Sequence, residues 1–450
     1  MKKIGIFFAR IDHISGWIHS NVLRELTNNN HVYIYGEKKI IEYIELNFTI
    51  PKEAKIELIV IDVPVNSLGR VYYSVRRLET RKLSRTFAFN LKKQIFGELK
   101  VYSANFNLRE LIFAIIKNLK GVTTFTLRHP LLTIILLPLI GSFIQKILKF
   151  LYDRKTFALP KEINKDLDLF ILTSSGREQR IFTLIKSLRQ ENICTVLSIQ
   201  NWDNLYSKTV VLAEPDYLFV MGIQCAEHAL KVQKIRSALI VPAGLPRFNV
   251  FRDTQHQPMQ HKNQVFKILY LGFSLPHNEV NLLNLLYKEL KSLNLQRQFE
   301  IIYKPHPQRR PRYFEEKATG LFSVIRLPTQ NYPEIGVRHI AQIQEADIVI
   351  ATPTSMVIES MLLRKKTILD LTNDGTHRTT AQLSYEKNEY TSSLGSIDNL
   401  EKCSSVNQIV ESIIKYMNLA DRSSISYNLD HIIENNVVSY SVHISKILAN

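Results

Sequence analysis

The amino-acid sequence predicts an α/β protein of two Rossmann-like, doubly wound domains facing a cleft, and three observations carry that prediction. At 450 residues the chain exceeds a single ordinary core and suits two domains of about 200 residues each. Short continuous runs of Ile, Val, Leu, Phe and Tyr recur between helical patterns, as parallel strands buried on both faces require. A polar stretch without periodicity, 251–264, divides these runs into two series. With 45% apolar and 22% charged residues the composition is that of a globular chain, which excludes general disorder.

The first series, residues 1–250, offers strands at Lys3–Phe8, His31–Gly36, Ile56–Asp62, Leu167–Ser174, Cys194–Gln200, Tyr217–Met221 and Ala238–Pro242. Helical patterns fall at Ser15–Asn28, Leu108–Leu119, Arg177–Gln190 and Gln224–Gln233. The second series, 265–450, offers strands at Lys267–Gly272, Phe299–Tyr303, Ser323–Leu327, Asp347–Ala351 and Thr367–Leu371. Its helices are expected at Glu279–Leu293, Arg338–Gln344, Ser355–Leu363 and Val406–Met417. Three widely spaced cysteines, Cys194, Cys225 and Cys403, form neither a metal clip nor a disulfide framework, so a reducing cytosol is expected. The opening Met1-Lys2-Lys3 leads into an apolar run too short for a signal sequence.

The formal charge of +17 is concentrated: from Arg70 to Lys155 seventeen Lys and Arg face four Asp and Glu. The same region holds an uncharged stretch, Pro130 to Gln145, followed by Lys146 and Lys149 on one helical face. The stretch falls short of the ~20 residues of a membrane span. Two readings stand: a helix on an anionic membrane surface, which would place the protein peripherally on the inner face of the plasma membrane, or a core helix with a solvated basic face. With no aromatic-interleaved basic strand or reader motif, no nucleic-acid partner is expected.

Ligands of doubly wound sheets bind at the carboxyl ends of strands, so chemistry is sought there. Phe299–Tyr303 runs into Lys304-Pro305-His306-Pro307, where each proline holds the residue before it extended and keeps Lys304 and His306 at the strand mouth. A His there can bond a phosphate oxygen without a metal. The strand Asp347–Ala351 leads through Thr352-Pro353 to Thr354 and Ser355 at a helix start, whose open N–H groups favour an anion. Glu359, one turn deeper on the same face, suits ribose hydroxyls. Taken singly, these features also fit a rigid exit loop and an ordinary helix cap.

Together the Lys-Pro-His-Pro and Thr354-Ser355-x-x-x-Glu359 segments resemble the donor domain of GT-B glycosyltransferases that use CMP- or CDP-activated donors. These include capsular Kdo and sialic acid transferases and CDP-glycerol glycerophosphotransferases. Asn201-Trp202-Asp203-Asn204, Pro215-Asp216 and Gly244-Leu-Pro-Arg-Phe248 extend the resemblance, which covers Leu167 to Leu371. It implies a nucleotide-sugar donor, phosphate contacts at His306, Thr354 and Ser355, and a glycan or lipid-linked acceptor of the cell surface. The acidic motif that supplies the base in some sialyltransferases has no counterpart in the N-terminal half.

The base is therefore open among Asp203, Asp12 and His13, all near strand ends. Arg247 could pair a donor phosphate or brace structure, and Gly272 with Ser274 could admit a phosphate to the backbone. Trp202 is either an acceptor platform or a core residue. Scattered histidines predict no bound metal and no cofactor beyond the nucleotide-activated substrate, with Asp347 and Asp374 left as possible magnesium contacts. The favoured reading is an inverting, metal-independent transferase with donor in the second domain. A non-hydrolysing UDP-sugar 2-epimerase and a non-catalytic membrane-peripheral scaffold are the alternatives.

Overall fold

The computed structural model describes residues 1–48, 54–84, 138–174, 178–253, 265–273, 277–306, 320–325, 337–374, 380–418, 425–434 and 439–449. Two compact units are formed: described residues of Met1–Ser84, Phe125–Val250 and Leu429–Asn450 make the first, and those of Phe251–Asn428 the second.

The first unit is a seven-stranded parallel sheet in the order β3-β2-β1-β4-β5-β6-β7. Its strands are β1 Lys2–Phe8, β2 Asn30–Gly36, β3 Ile56–Val60, β4 Leu169–Ser174, β5 Cys194–Ile199, β6 Tyr217–Val220 and β7 Leu239–Pro242. Around it pack α1 Ile11–His19, α2 Val22–Asn29, α3 Lys38–Asn47, α4 Ser67–Leu83, α5 Pro138–Arg154, α6 Arg180–Gln190, α7 Ile223–Lys231 and α8 Pro246–Asp253. All seven strands expected from the apolar runs form, because helices cover both faces and leave Ile4, Ile6, Phe8 and Leu169 to Leu172 buried. The single helix expected over Ser15–Asn28 is instead two. Asn21 adopts a left-handed φ of 58°, which Asn tolerates better than other side chains, and the helix is broken there.

α4 and α5 pack through Val75 against Ile144 and Leu148, and the Tyr72 and Tyr152 rings lie 5.5 Å apart. Glu79 accepts bonds from Arg76, Gln145 and Lys234, tying this pair to the segment that follows α7. The helix expected at Leu108–Leu119 and the apolar run before Pro138 lie outside the described residues.

The second unit is a six-stranded parallel sheet in the order β10-β9-β8-β11-β12-β13. It comprises β8 Phe266–Leu271, β9 Phe299–Lys304, β10 Ser323–Val324, β11 Ile348–Ala351, β12 Lys366–Asp370 and β13 Glu401–Cys403. Its helices are α9 Glu279–Ser292, α10 Val337–Glu345, α11 Ser355–Leu362, α12 Ala381–Lys387, α13 Glu389–Ser392 and α14 Val406–Met417. β13 has no apolar run to announce it: it is a three-residue edge strand whose Glu401 and Lys402 keep contact with solvent.

α15, Tyr440–Ala449, closes the chain by returning to the first unit. Tyr440 is buried there, edge-on to Trp17 and Phe219, with its hydroxyl on that of Ser198 at 2.5 Å. Both sheets follow the doubly wound order in which strands run outward in two directions from a central pair, β1/β4 in one and β8/β11 in the other. That central pair is the topological switch point, where helices leave to opposite faces and a crevice opens at the carboxyl ends.

Candidate functional site

At the mouth of the first sheet, β1 exits through Ala9 and Arg10 into α1, which carries Asp12 and His13 in its first turn. His13 is buried, and its Nδ1 lies 3.1 Å from the Thr173 hydroxyl on β4, across the switch point. Thr173 donates its only hydroxyl proton to the Phe7 carbonyl at 3.1 Å, so it accepts from His13. The imidazole is therefore held with its proton on Nδ1. Its Nε2, buried and without a hydrogen-bond partner among the described residues, keeps a lone pair to accept a proton. Burial holds His13 below its ordinary value; Asp12 and Glu178 oppose this, and Arg10 and Arg247 add to it.

The carboxylates nearby are differently placed. Asp12 is bound by Arg10 at 2.8 Å; burial pushes it up, but His13 and Arg10 outweigh that and leave it below its ordinary value. Asp203, at the start of a short π-helical turn, pairs through Oδ2 with Lys208 at 2.5 Å, while Oδ1 is buried without a partner among the described residues. Trp202 is a core residue, only 2% exposed, whose carbonyl accepts from the Cys225 thiol. Arg247 donates to Asn201 Oδ1 at 3.3 Å, and its guanidinium covers the Phe248 ring. α1 approaches α8 closely at Gly16, where a β-carbon would stand 2.9 Å from that of Arg247.

The mouth of the second sheet brings the other group together by register. Leu271 at the end of β8 is paired with Lys304 on one side and Ala351 on the other, so three strands end in one row. Adjacent parallel strands stand about 4.8 Å apart, which puts the exits of β9 and β11 about 10 Å from each other with Gly272 between them. His306, half-buried, is two residues past that row on β9; Thr354 and Ser355 follow three and four past it on β11. Gly272 is required by this closeness, since a β-carbon there would meet the His306 amide nitrogen at 2.9 Å and Glu279 Oε2 at 3.0 Å.

Thr354 is the N-cap residue of α11, yet its hydroxyl makes no cap bond. Both it and the Thr352 hydroxyl are buried with no hydrogen-bond partner among the described residues. Two orphan hydroxyls beside an uncapped helix start are unusual in a folded protein and mark a seat for a group that accepts protons in hydrogen bonds. Ser274 lies outside the described residues.

Lys304 and Glu359 are joined by a residue that sequence motifs miss. The Lys304 ammonium donates to His339 Nδ1 and to Gln342 Oε1 at 2.7 Å, and His339 Nε2 meets Glu359 Oε2 at 2.8 Å. An ammonium has only protons to give, so His339 carries its proton on Nε2 and donates it in a hydrogen bond to Glu359. This buried relay ties β9 to α10 and α11 directly beneath the α11 start. A second buried group was equally silent in the sequence: Tyr270 donates to Asp370 at 2.7 Å, and His277 stands between Asp370 and Asp374 at 3.8 and 3.6 Å. Glu279 accepts from the Phe273 amide and the Tyr303 hydroxyl. Asp347 accepts from the Lys267 amide at the amino end of the sheet, opposite the mouth where Asp374 lies, so the two do not converge on one ion. Among the described residues no cluster of potential metal ligands occurs.

No protein-family model and no curated protein matches the chain. Solved structures do match. The UDP-GlcNAc 2-epimerase from Methanocaldococcus jannaschii superposes with a TM-score of 0.51 at 11% identity, over 100% of both chains. The UDP-GlcNAc 2-epimerase from Neisseria meningitidis, solved bound to UDP-GlcNAc, gives a TM-score of 0.51 at 13% identity, again over 100% of both. The fold is GT-B. At such low identity the likeness reaches no further than the fold, whose two Rossmann-like domains host several chemistries.

Proposed function

We propose that the protein is a glycosyltransferase or polyol-phosphate transferase, which moves a cytidine-nucleotide-activated sugar or polyol onto a surface-polysaccharide or lipid-linked acceptor. The observation that carries this reading is the meeting of Gly272, His306 and the uncapped Thr354-Ser355 helix start at one switch point, with two buried hydroxyls that have no partner among the described residues. Phosphate oxygens satisfy such a set: amide N–H groups and hydroxyls donate, and a His ring N–H can donate as well. In this role the second unit holds the donor, and charge developing on the departing nucleotide is stabilised by fixed donors rather than by an ion. Glu359, fixed by His339, accepts from the ribose.

The acceptor hydroxyl loses its proton to His13 in the first unit. Asp12 and Asp203 are each neutralised by a cation, whereas His13 is neutral, oriented by Thr173 and able to accept at Nε2. Attack by the activated hydroxyl opposite the leaving nucleotide inverts the centre attacked, the anomeric carbon of a sugar or the phosphorus of a polyol phosphate, as the bond to the nucleotide breaks.

Thermal unfolding with CMP, CDP, UDP and GDP in turn tests the donor assignment. Stabilisation by a cytidine nucleotide, abolished by His306→Ala, is the expected result. Indifference to all four defeats it and favours a scaffold. Conversion of UDP-GlcNAc without any acceptor would instead establish the epimerase chemistry of the two structurally similar enzymes.

A further inference from the structure

α5 is apolar on two faces. Ile144 and Leu148 pack on Val75 of α4, and Tyr152 on the same side is 1% exposed. The adjoining face carries Phe143, Ile147, Phe150 and Leu151, which are 65%, 42%, 52% and 47% exposed. Their spacing of four, three and one residues places all of them on one stripe of the helix. Single exposed apolar side chains are ordinary, but a stripe of four with two phenylalanines is not.

The stripe is flanked by cations. Lys146 and Lys149 are exposed along one edge, Arg154 stacks its guanidinium 4.1 Å from the Phe150 ring centre, and Lys155 follows. Asp153 is the one acid in the helix and is paired with Lys149 at 2.5 Å. Long basic side chains beside aromatic rings suit a polar–apolar boundary, where stems lie on hydrocarbon and charges reach phosphate. The described part of α5 has 17 residues, four of them charged, and among the described residues no helix is long and apolar enough to cross a bilayer.

We propose that α5 docks the protein onto an anionic lipid surface, lying in the headgroup plane with Phe143, Ile147, Phe150 and Leu151 inserted and Lys146, Lys149 and Arg154 on lipid phosphates. The positive charge of the helix selects this occupant over an apolar protein groove, which would leave those cations unpaired on burial. The assignment is independent of the transfer reaction.

Co-sedimentation of the full chain with vesicles of phosphatidylglycerol and phosphatidylcholine in equal parts, against phosphatidylcholine alone, tests it. Binding to the mixed vesicles, weakened by salt, is expected. The double variant Phe143→Ser, Phe150→Ser should lower the affinity by about a hundredfold, because each ring withdraws a large apolar area from the interface. Lys146→Glu should lower it about tenfold on mixed vesicles only. Phe150→Trp supplies a gain of signal, its emission shifting to the blue when vesicles are added. Equal binding of wild type and the double serine variant, or binding indifferent to phosphatidylglycerol, overturns the proposal. So does an apolar stripe that proves to be a self-association face, seen as a dimer in sedimentation that the serine variant dissolves without any change in lipid binding.

Discussion

The two sheet mouths share a topology and differ in chemistry. Each unit places its candidate residues where the strand order reverses, β1/β4 in one and β8/β11 in the other. In the first, charges cancel locally: Arg10 with Asp12 and Lys208 with Asp203 leave the neutral His13 imidazole as the group suited to receive a proton. In the second, strand exits supply hydroxyls and a helix start, and the charged side chains Lys304 and Glu359 are drawn inward onto His339. On the proposed reading one mouth receives a proton and the other seats an anion, and a phosphate seat beside an acceptor base would favour the protonated form of that base.

The largest effect expected from this division is at His13. His13→Gln should lower turnover by about 10²- to 10⁴-fold, the range for loss of a general base, while nucleotide-induced stabilisation is retained. The pH dependence sharpens the test. His13 sits below its ordinary value of 6.5, so the wild-type rate should rise with pH through a limb below 6.5 that the variant lacks. Its contribution to stability has the matching sign: present in full above 6.5 and lost as pH falls toward the depressed folded value, because the unfolded chain binds the proton first. A variant that keeps the limb would return the base to Asp203 or Asp12. A variant that loses nucleotide binding as well would break the division of labour.

Next in size is the relay beneath the second mouth. His339→Leu leaves Lys304 and Glu359 buried without their common partner, a change that costs about 3 kcal/mol or more. Hydrogen exchange should accelerate in α10 and α11 and stay unchanged in α1 and β4. Equal acceleration in both units would show that the relay supports the whole chain and not the donor seat.

How much of this was legible before the fold was known follows from where each interaction lies along the chain. Buried parallel strands are mostly continuous apolar runs, so β1 to β12 stand out in the sequence, β10 forming over only the first two residues of its expected span, whereas β13 pairs through its backbone and carries charges. His306, Thr354 and Ser355 are legible because proline and a helix start follow a strand, which is local information. His339 is not: its partners Lys304 and Glu359 are 35 and 20 residues away, and only the packing of α10 brings them together. The helix break at Asn21 depends on one left-handed residue that the apolar period runs straight through. α15 likewise has an amphipathic pattern that does not say which sheet it covers; Tyr440 reaching Ser198 over 242 residues decides it.

The smallest effect is the most discriminating. Thr354→Val replaces a buried hydroxyl that has no partner among the described residues with a methyl group of similar size. If the hydroxyl serves only the fold, its loss destabilises the protein. If it is kept unpaired for a phosphate, the ligand-free protein should hold its stability or gain up to about 1 kcal/mol, since an unsatisfied buried donor is itself costly. Nucleotide affinity should then fall about tenfold, the worth of one hydrogen bond to a charged group. Opposite signs in the two measurements separate a seat for an anion from a helix cap, because a cap would lose stability and leave binding alone.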